Sequence, residues 1–411
     1  MRIGGLVCSA WLLWVGYYVF VNGRGYDPAR GTWVAVIVYA LFFVTAFETF
    51  ARELPKRFAT HVIGAVVVGL LAIGYVVISL QNLGVMTDAL ALSLAAGKLV
   101  LQGHNPYGAD LSWGWNAFGL PDSLRTSFVG GGHLTQINYP ALAILLYVPA
   151  VALRLSPLVV STVGLVGAVL LIVALAPPQL KTLAPIPFLV GSDSIKFVMG
   201  SLQDIWYVFL MLPAAFLWTE MPLAAGVFLG LACAVKQQPW LAVPFFFIGV
   251  ARGVPGAHKE AVRRLAAAAL GLLIGFGAPN AAFAASRPVV WLSAIVQPLT
   301  ASFTPAGVGA VSLANSGALN LPGSILHWAP LIVLAVFSLA ALRYFKELRN
   351  GLWLVPGLAL FFSSRSLDNY FVYLLPVCVA SWFGQLPHAL EWKRRLIERW
   401  RAARARRLAA V

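Results

Sequence analysis

Apolar blocks long enough to cross a membrane recur along the chain, at residues 4–21, 32–50, 62–80 and 265–285. A helix needs about 20 consecutive apolar residues to span the hydrocarbon core of a bilayer, so each block reads as a transmembrane helix. The 411 residues are 60% hydrophobic and only 10% charged. A soluble domain of this length would lack the polar side chains to cover its surface. The expected fold is therefore an all-α, polytopic transmembrane helical bundle of about 12 hydrophobic helices, some short and broken. Trp11, Trp14, Tyr17 and Tyr18 interrupt the first block and no A-x-A-like site follows, which argues against a cleaved leader. Cys8, Cys233 and Cys378 lie far apart within apolar blocks, as packing residues do, without metal or redox spacing.

The formal net charge is +15, and much of it sits in the closing stretch "EWKRRLIERWRAARARRLAAV". A basic helix carrying tryptophan suits the surface of anionic lipid, and a plain solvated tail is the alternative; nucleic acid is not the expected partner. The positive-inside rule then sets orientation. With the N-terminus inside, Arg2, the segment 51–60, Arg154, the segments 251–265 and 343–350 and the tail gather 20 of the 29 basic residues on the cytoplasmic side. The same arrangement puts Asp27, Asp88, Asp110, Asp122, Asp193, Asp204 and Asp368 at the outer side and all seven glutamates near the inner one. Residues 1–60 form two leading helices and 61–386 a transmembrane module with an outer loop at 82–138. Residues 387–411 form the cytoplasmic amphipathic tail.

Two stretches do not fit simple spans. Residues 183–204 are too polar for a pair of full crossings, and parity makes them a segment re-entering from outside. Residues 221–253 hold two apolar runs of about a dozen residues each, hinged at Lys236-Gln-Gln-Pro239. Broken helices at membrane depth occur only where they line a cavity or are buried in protein, which gathers the irregular backbone at the outer face.

The stretch "DALALSLAAGKLVLQGHNPYG" (88–108) begins with Asp88 and reads as a helix with Thr87 or Asp88 near its N-cap. Asp88, Ala91, Ala95, Lys98 and Gln102 share one face, and Leu90, Leu94 and Leu101 the opposite one. The pattern predicts an amphipathic helix at the outer interface with an alanine-lined groove; a capping Asp88 and a snorkelling Lys98 are the alternative. Asn-Pro then stops the helix. Lys236, with no acidic residue near it in sequence, calls for an anionic ligand such as a lipid phosphate, or else snorkels to water. Arg365 could clamp a phosphate or pair with Asp368. Gln203 and Asp204 open a helix at the same level, where Asp204 could bind hydroxyls or a metal, or simply cap. Asn315 and Ser316 lie in an outer loop. His104, His133 and His327 are isolated, so no metal site built on histidine is expected.

Taken together these residues resemble the GT-C superfamily of integral-membrane glycosyltransferases, and within it the bacterial α-mannosyltransferases that use polyprenol-phosphate mannose. The resemblance runs from about Val62 to Pro376. It rests on Asp88 with "AAGKLVLQGHNPYG", and on "INYPALAILLYVPA", "GSLQDIWYVFLML", "AAGVFLGLACAVKQQP", "NSGAL" and "SSRSLDNYFVYLLP". It implies an inverting enzyme, active as a monomer and requiring no metal cofactor, with a divalent cation as the alternative, at the outer side of the bacterial inner membrane. Asp88 would be the catalytic base. Lys236 and Arg365, with Lys98 and His104, would hold the donor phosphate. Gln203, Asp204, Asn315, Asp368 and Tyr139 would face the sugar or the glycolipid acceptor. The chain departs from the family pattern in having two spans before the one that delivers Asp88. It has Gly200-Ser-Leu-Gln203-Asp204 for Gly-Gln-x-Asn, and Lys236-Gln-Gln-Pro239 for Lys-Pro. These departures leave sugar and acceptor open. A transporter or flippase of lipid-linked sugar, a polymerase or ligase using diphosphate-linked glycans, and a non-catalytic scaffold are the rival readings.

Overall fold

The computed structural model describes residues 1–23, 27–80, 87–189, 203–253, 258–320, 322–367, 369–372 and 374–409. The architecture is a helical bundle. Among the described residues, six helices have 18 or more residues and are apolar enough to cross a membrane, and six shorter apolar helices of 10–17 residues accompany them. Helices α1 (Arg2–Gly23), α2 (Pro28–Phe50) and α3 (Phe58–Leu80) pack together as a three-helix lead. Asp27 caps α2 by accepting from the Arg30 amide at 3.0 Å, with Pro28 at the first helical position, where its missing N–H costs nothing.

Then follow α4 (Asp88–Leu101), the short α5 (Trp113–Ala117), α6 (Ala141–Leu145) and α7 (Val148–Ala152), and the long α8 (Leu158–Leu175). Next come α9 (Asp204–Leu217), α10 (Pro222–Val235) and α11 (Val243–Arg252), then α12 (His258–Ser286) and α13 (Pro288–Thr300). The chain closes with α14 (Gly323–Arg343), α15 (Val355–Phe361), α16 (Leu374–Phe383) and α17 (Pro387–Ala409). A two-residue parallel pair, β1 (Ala306–Gly307) and β2 (Arg365–Ser366), ties two loops together.

The tightest seam joins α10 to α12. A methyl group at Gly226 or Gly230 would overlap the carbonyls of Ala268 or Leu272, and one at Gly271 or Gly275 those of Leu223 or Val227. Each helix thus offers a Gly-x-x-x-Gly pair to the other, letting the two backbones touch.

Basic residues collect at one end of the bundle. Arg2 donates to the carbonyls of Ala51 and Arg52, and Thr182 to that of Met1. Arg264 donates to the Thr219 carbonyl and Arg252 to that of Leu342. Leu183 and Ile186 line an apolar crevice with Trp382 and Phe383, placing the start of the chain and the root of α17 at the same face.

Two expectations about topology are corrected. Residues 141–152 do not cross the bundle: α7 rests its Val148 and Val151 on Gly97 of α4, so Arg154 stays at the face of Asp88. The described ends of residues 183–204 lie at opposite ends of the bundle, where a segment re-entering from outside would have both at one face. Thr182 sits against Met1 and Gly4, whereas Asp204 begins a helix beside Val160 and Gly164 at the opposite end of α8; residues 190–202 between them lie outside the described residues. The two differences change parity in opposite senses and cancel, which leaves the other loops at the ends of the bundle that the sequence assigned them. Arg154 and Lys181 exchange sides, and the basic tally is unchanged.

The groove expected on α4 is also absent. Residues 89–97 are buried all round. The stripe of Ala91 and Ala95 is filled by α5, where a methyl at Gly114 would come within 2.9 Å of the Ala95 Cβ. Small residues here serve close helix packing, and α4 is a core helix with only its ends at the surface.

Candidate functional site

Asp88 is the first residue of α4, whose N-cap Thr87 accepts from the Leu90 amide at 3.3 Å. Its carboxylate takes one backbone N–H on each oxygen: Ala89 on Oδ1 at 2.8 Å and Thr126 on Oδ2 at 2.9 Å. A carboxylate has about four acceptor positions, so each oxygen keeps capacity for another proton donor. The half-buried side chain is therefore fixed in direction without being used up.

Thr126 opens a hairpin that closes with Leu134 N donating to the Thr126 carbonyl at 2.8 Å. The hairpin leans on the loop after α13: Phe128 stacks on Phe303 with centroids 5.1 Å apart, and the Thr304 amide donates to the Ser127 carbonyl at 2.9 Å. That loop carries β1, which pairs with β2 and so positions Arg365. Gly307 has φ +127°, and a side chain there would strike the Ser366 backbone, so only glycine permits this approach. The Arg365 guanidinium lies 5.4 Å over the Phe303 ring and donates to Thr126 Oγ1 at 3.4 Å. Asp88 and Arg365, 277 positions apart, thus meet on a single threonine.

Beneath them, Lys236 caps the broken end of α10 in an extended conformation, as expected for a pair of short helices hinged there. Its partner is a protein group. Nζ donates to Asp204 Oδ1 at 2.6 Å, and both side chains are almost wholly buried. The need for an anionic ligand at Lys236, argued from the absence of nearby acid in sequence, is thereby removed. The rings of Tyr139 and Tyr370 face the ammonium at 5.4 and 5.7 Å, distances at which ring quadrupoles favour a cation. Gln237 donates to the carbonyls of Asn138 and Ile295 at 2.7 and 2.8 Å, fixing the hinge to the base of α6 and to α13.

The other predicted residues are not all gathered here. Gln203 adjoins Asp204 but is fully buried, with neither amide atom hydrogen-bonded among the described residues. Lys98 lies ten residues along α4, about 15 Å from Asp88 at 1.5 Å per residue. It is held by the rings of Trp113 and Phe118 at 5.5 and 4.7 Å. His104 is exposed in the turn beyond. That turn is architectural: Asn105 donates to the Phe283 carbonyl and to Ser286 Oγ, docking it on the end of α12. Asn315 is exposed and donates to the Pro305 carbonyl at 3.2 Å, bracing the loop of β1. Asp368 lies outside the described residues. Among the described residues no group of three or more His, Cys, Asp or Glu could hold a metal ion.

Thr126, Phe303, Tyr370 and Gln237 were not singled out in advance. Tyr370 and Gln237 sit inside quoted motifs; Thr126 holds Asp88 through its amide, which carries no sequence signal. Comparison with known protein families, curated proteins and solved structures finds no match.

Proposed function

We propose that the chain is an inverting membrane glycosyltransferase. It moves one sugar, mannose or another hexose or pentose, from a polyprenyl phosphate to a glycolipid or cell-envelope acceptor. The reaction takes place at the face of Asp88, outside the bacterial inner membrane, with both termini in the cytoplasm. The observation that carries the reading is the meeting of Asp88 and Arg365 on Thr126, a base and a cation at one half-buried place.

Asp88 accepts the proton of the acceptor hydroxyl as its oxygen bonds to the anomeric carbon. The bond from that carbon to the phosphate oxygen breaks, and the electron pair leaves on the phosphate. Arg365 stabilises that charge through its planar fork of donors. Lys236, already neutralised by Asp204, acts by holding Tyr139 and the hinge in place. No step calls for a metal.

The test uses purified protein in lipid nanodiscs with labelled polyprenyl-phosphate sugars and an envelope lipid extract. Asp88→Asn, nearly isosteric, should fold and bind donor while transfer falls by about 10²–10⁴-fold, the usual worth of a positioned base. Arg365→Gln should weaken donor use by roughly tenfold or more, the loss of one charge-assisted contact. Undiminished turnover in Asp88→Asn would sink the assignment. Movement of labelled lipid across liposomes without any transfer product would favour a flippase.

A further inference from the structure

We propose that α17 is an arm locked at its root in one rotational register, and that its basic side grips an anionic lipid surface. The inference is independent of the reaction at the opposite face. Helix α17 carries eight basic residues against Glu391 and Glu398. One of the eight behaves unlike a solvated tail lysine. Lys393 is fully buried and donates to Glu220 Oε2 and to the Gly384 carbonyl, both at 2.6 Å, with its ammonium 4.7 Å from the Phe216 ring. Glu220 is itself held by Thr219 Oγ1 at 2.6 Å. Trp392 meets Phe216 edge-on at 6.0 Å, and Ala389, one turn earlier, is buried too.

Burying an ammonium is costly unless it is paired and fully hydrogen-bonded, so these contacts fix which side of the helix faces the bundle. At about 100° per residue, position 397 falls on the side of Lys393, and positions 395 and 399 fall on the far side. Ile397 is half-buried, and Arg394, Arg395 and Arg399 are exposed, as that register requires. Trp392 and Leu396 are exposed apolar residues interleaved with them. Arg52, Arg57, Arg263 and Arg343 are exposed at the same face. Charge spread over a whole face, with apolar side chains at the level where the membrane-crossing helices end, matches an extended anionic plane better than a compact ligand.

The full-length protein is placed in nanodiscs of neutral phosphatidylcholine, or with a third of the lipid replaced by phosphatidylglycerol, and α17 is probed with trypsin. Cleavage at the tail arginines should be about tenfold slower in anionic discs, with the protection lost in high salt, where surface charges are screened. The triple variant Arg394→Gln, Arg395→Gln, Arg399→Gln should shrink the difference between discs as read at Arg401 and Arg404. Glu220→Gln should open Lys393 to cleavage in neutral discs. Equal cleavage in both disc types, or equal protection by inorganic phosphate in neutral discs, overturns the lipid assignment. Unchanged resistance at Lys393 in Glu220→Gln overturns the lock.

Discussion

Two lysine–carboxylate pairs bracket the hairpin of α9 and α10, one at each face. Lys236 meets Asp204 where α9 begins, and Lys393 meets Glu220 just beyond its end, both at 2.6 Å. The distances match and the surroundings do not. Both members of the first pair are buried, with side-chain exposures of 5% and 0%, and tyrosine rings face the ammonium. In the second, the lysine is 1% exposed but the glutamate keeps 25%. Water therefore screens one end of the Lys393–Glu220 pair, whereas nothing but protein screens the Lys236–Asp204 pair. The difference teaches what each pair can do. The Lys236–Asp204 pair sets a rigid floor whose charges depend on each other, and the Lys393–Glu220 pair is a latch whose glutamate stays in touch with solvent.

The comparison can be broken from either end. Lys236→Met removes the ammonium paired with the buried Asp204 carboxylate and should cost about 3–5 kcal/mol, the usual penalty for halving a buried pair. Lys236→Met with Asp204→Leu should recover most of that, because removing both charges also removes the desolvation cost. Thermal unfolding in detergent reads both, and a single variant as stable as the wild type would mean that the pair is not desolvated. Glu220→Gln should cost less, about 1–3 kcal/mol, because Glu220 is partly exposed and the Gly384 carbonyl still accepts from Lys393, yet enough to raise the undocked population that trypsin reads at Lys393.

The smallest effect concerns pH. Burial holds the Lys393 ammonium below its ordinary value of 10.5, outweighing the attraction of Glu220. Undocked, the tail binds that proton more tightly. Docking should therefore strengthen as pH rises through the window between the lowered value and 10.5. Spin-label distances between α17 and α9 would show the opposite trend if the Glu220 attraction dominated.

Charge asymmetry made the two faces legible, because most basic residues gather at one end whatever the detailed path. The hinge at Lys236 was legible too, since Lys-Gln-Gln-Pro interrupts two runs too short to span alone. The partner of Lys236 was not, because Asp204 lies 32 residues away and only the folded hairpin brings them together. The alanines of α4 misled for a related reason: spacing tells where side chains are small, not what fills the space beside them, and Gly114 does. The glycine seam of α10 and α12 was present in the sequence as two Gly-x-x-x-Gly patterns. Its meaning needed both helices, because either pattern alone is common in apolar stretches.

That seam bears on how the protein is made. Helix α10 has 14 residues, so it extends about 21 Å, while the hydrocarbon core it must help cross is about 30 Å thick. Inserted alone, it would leave the broken end at Lys236 and its unpaired carbonyls in lipid. The 29-residue α12, which supplies the matching glycine face, emerges from the ribosome later. We expect residues 222–252 to wait at the translocon until α12 arrives and to enter the bilayer as its partner. A ribosome-bound chain ending before residue 258 should then leave α10 open to aqueous labelling, and early shielding would refute this order of assembly. The glycines that bring two backbones into contact would thus also set the timetable of insertion.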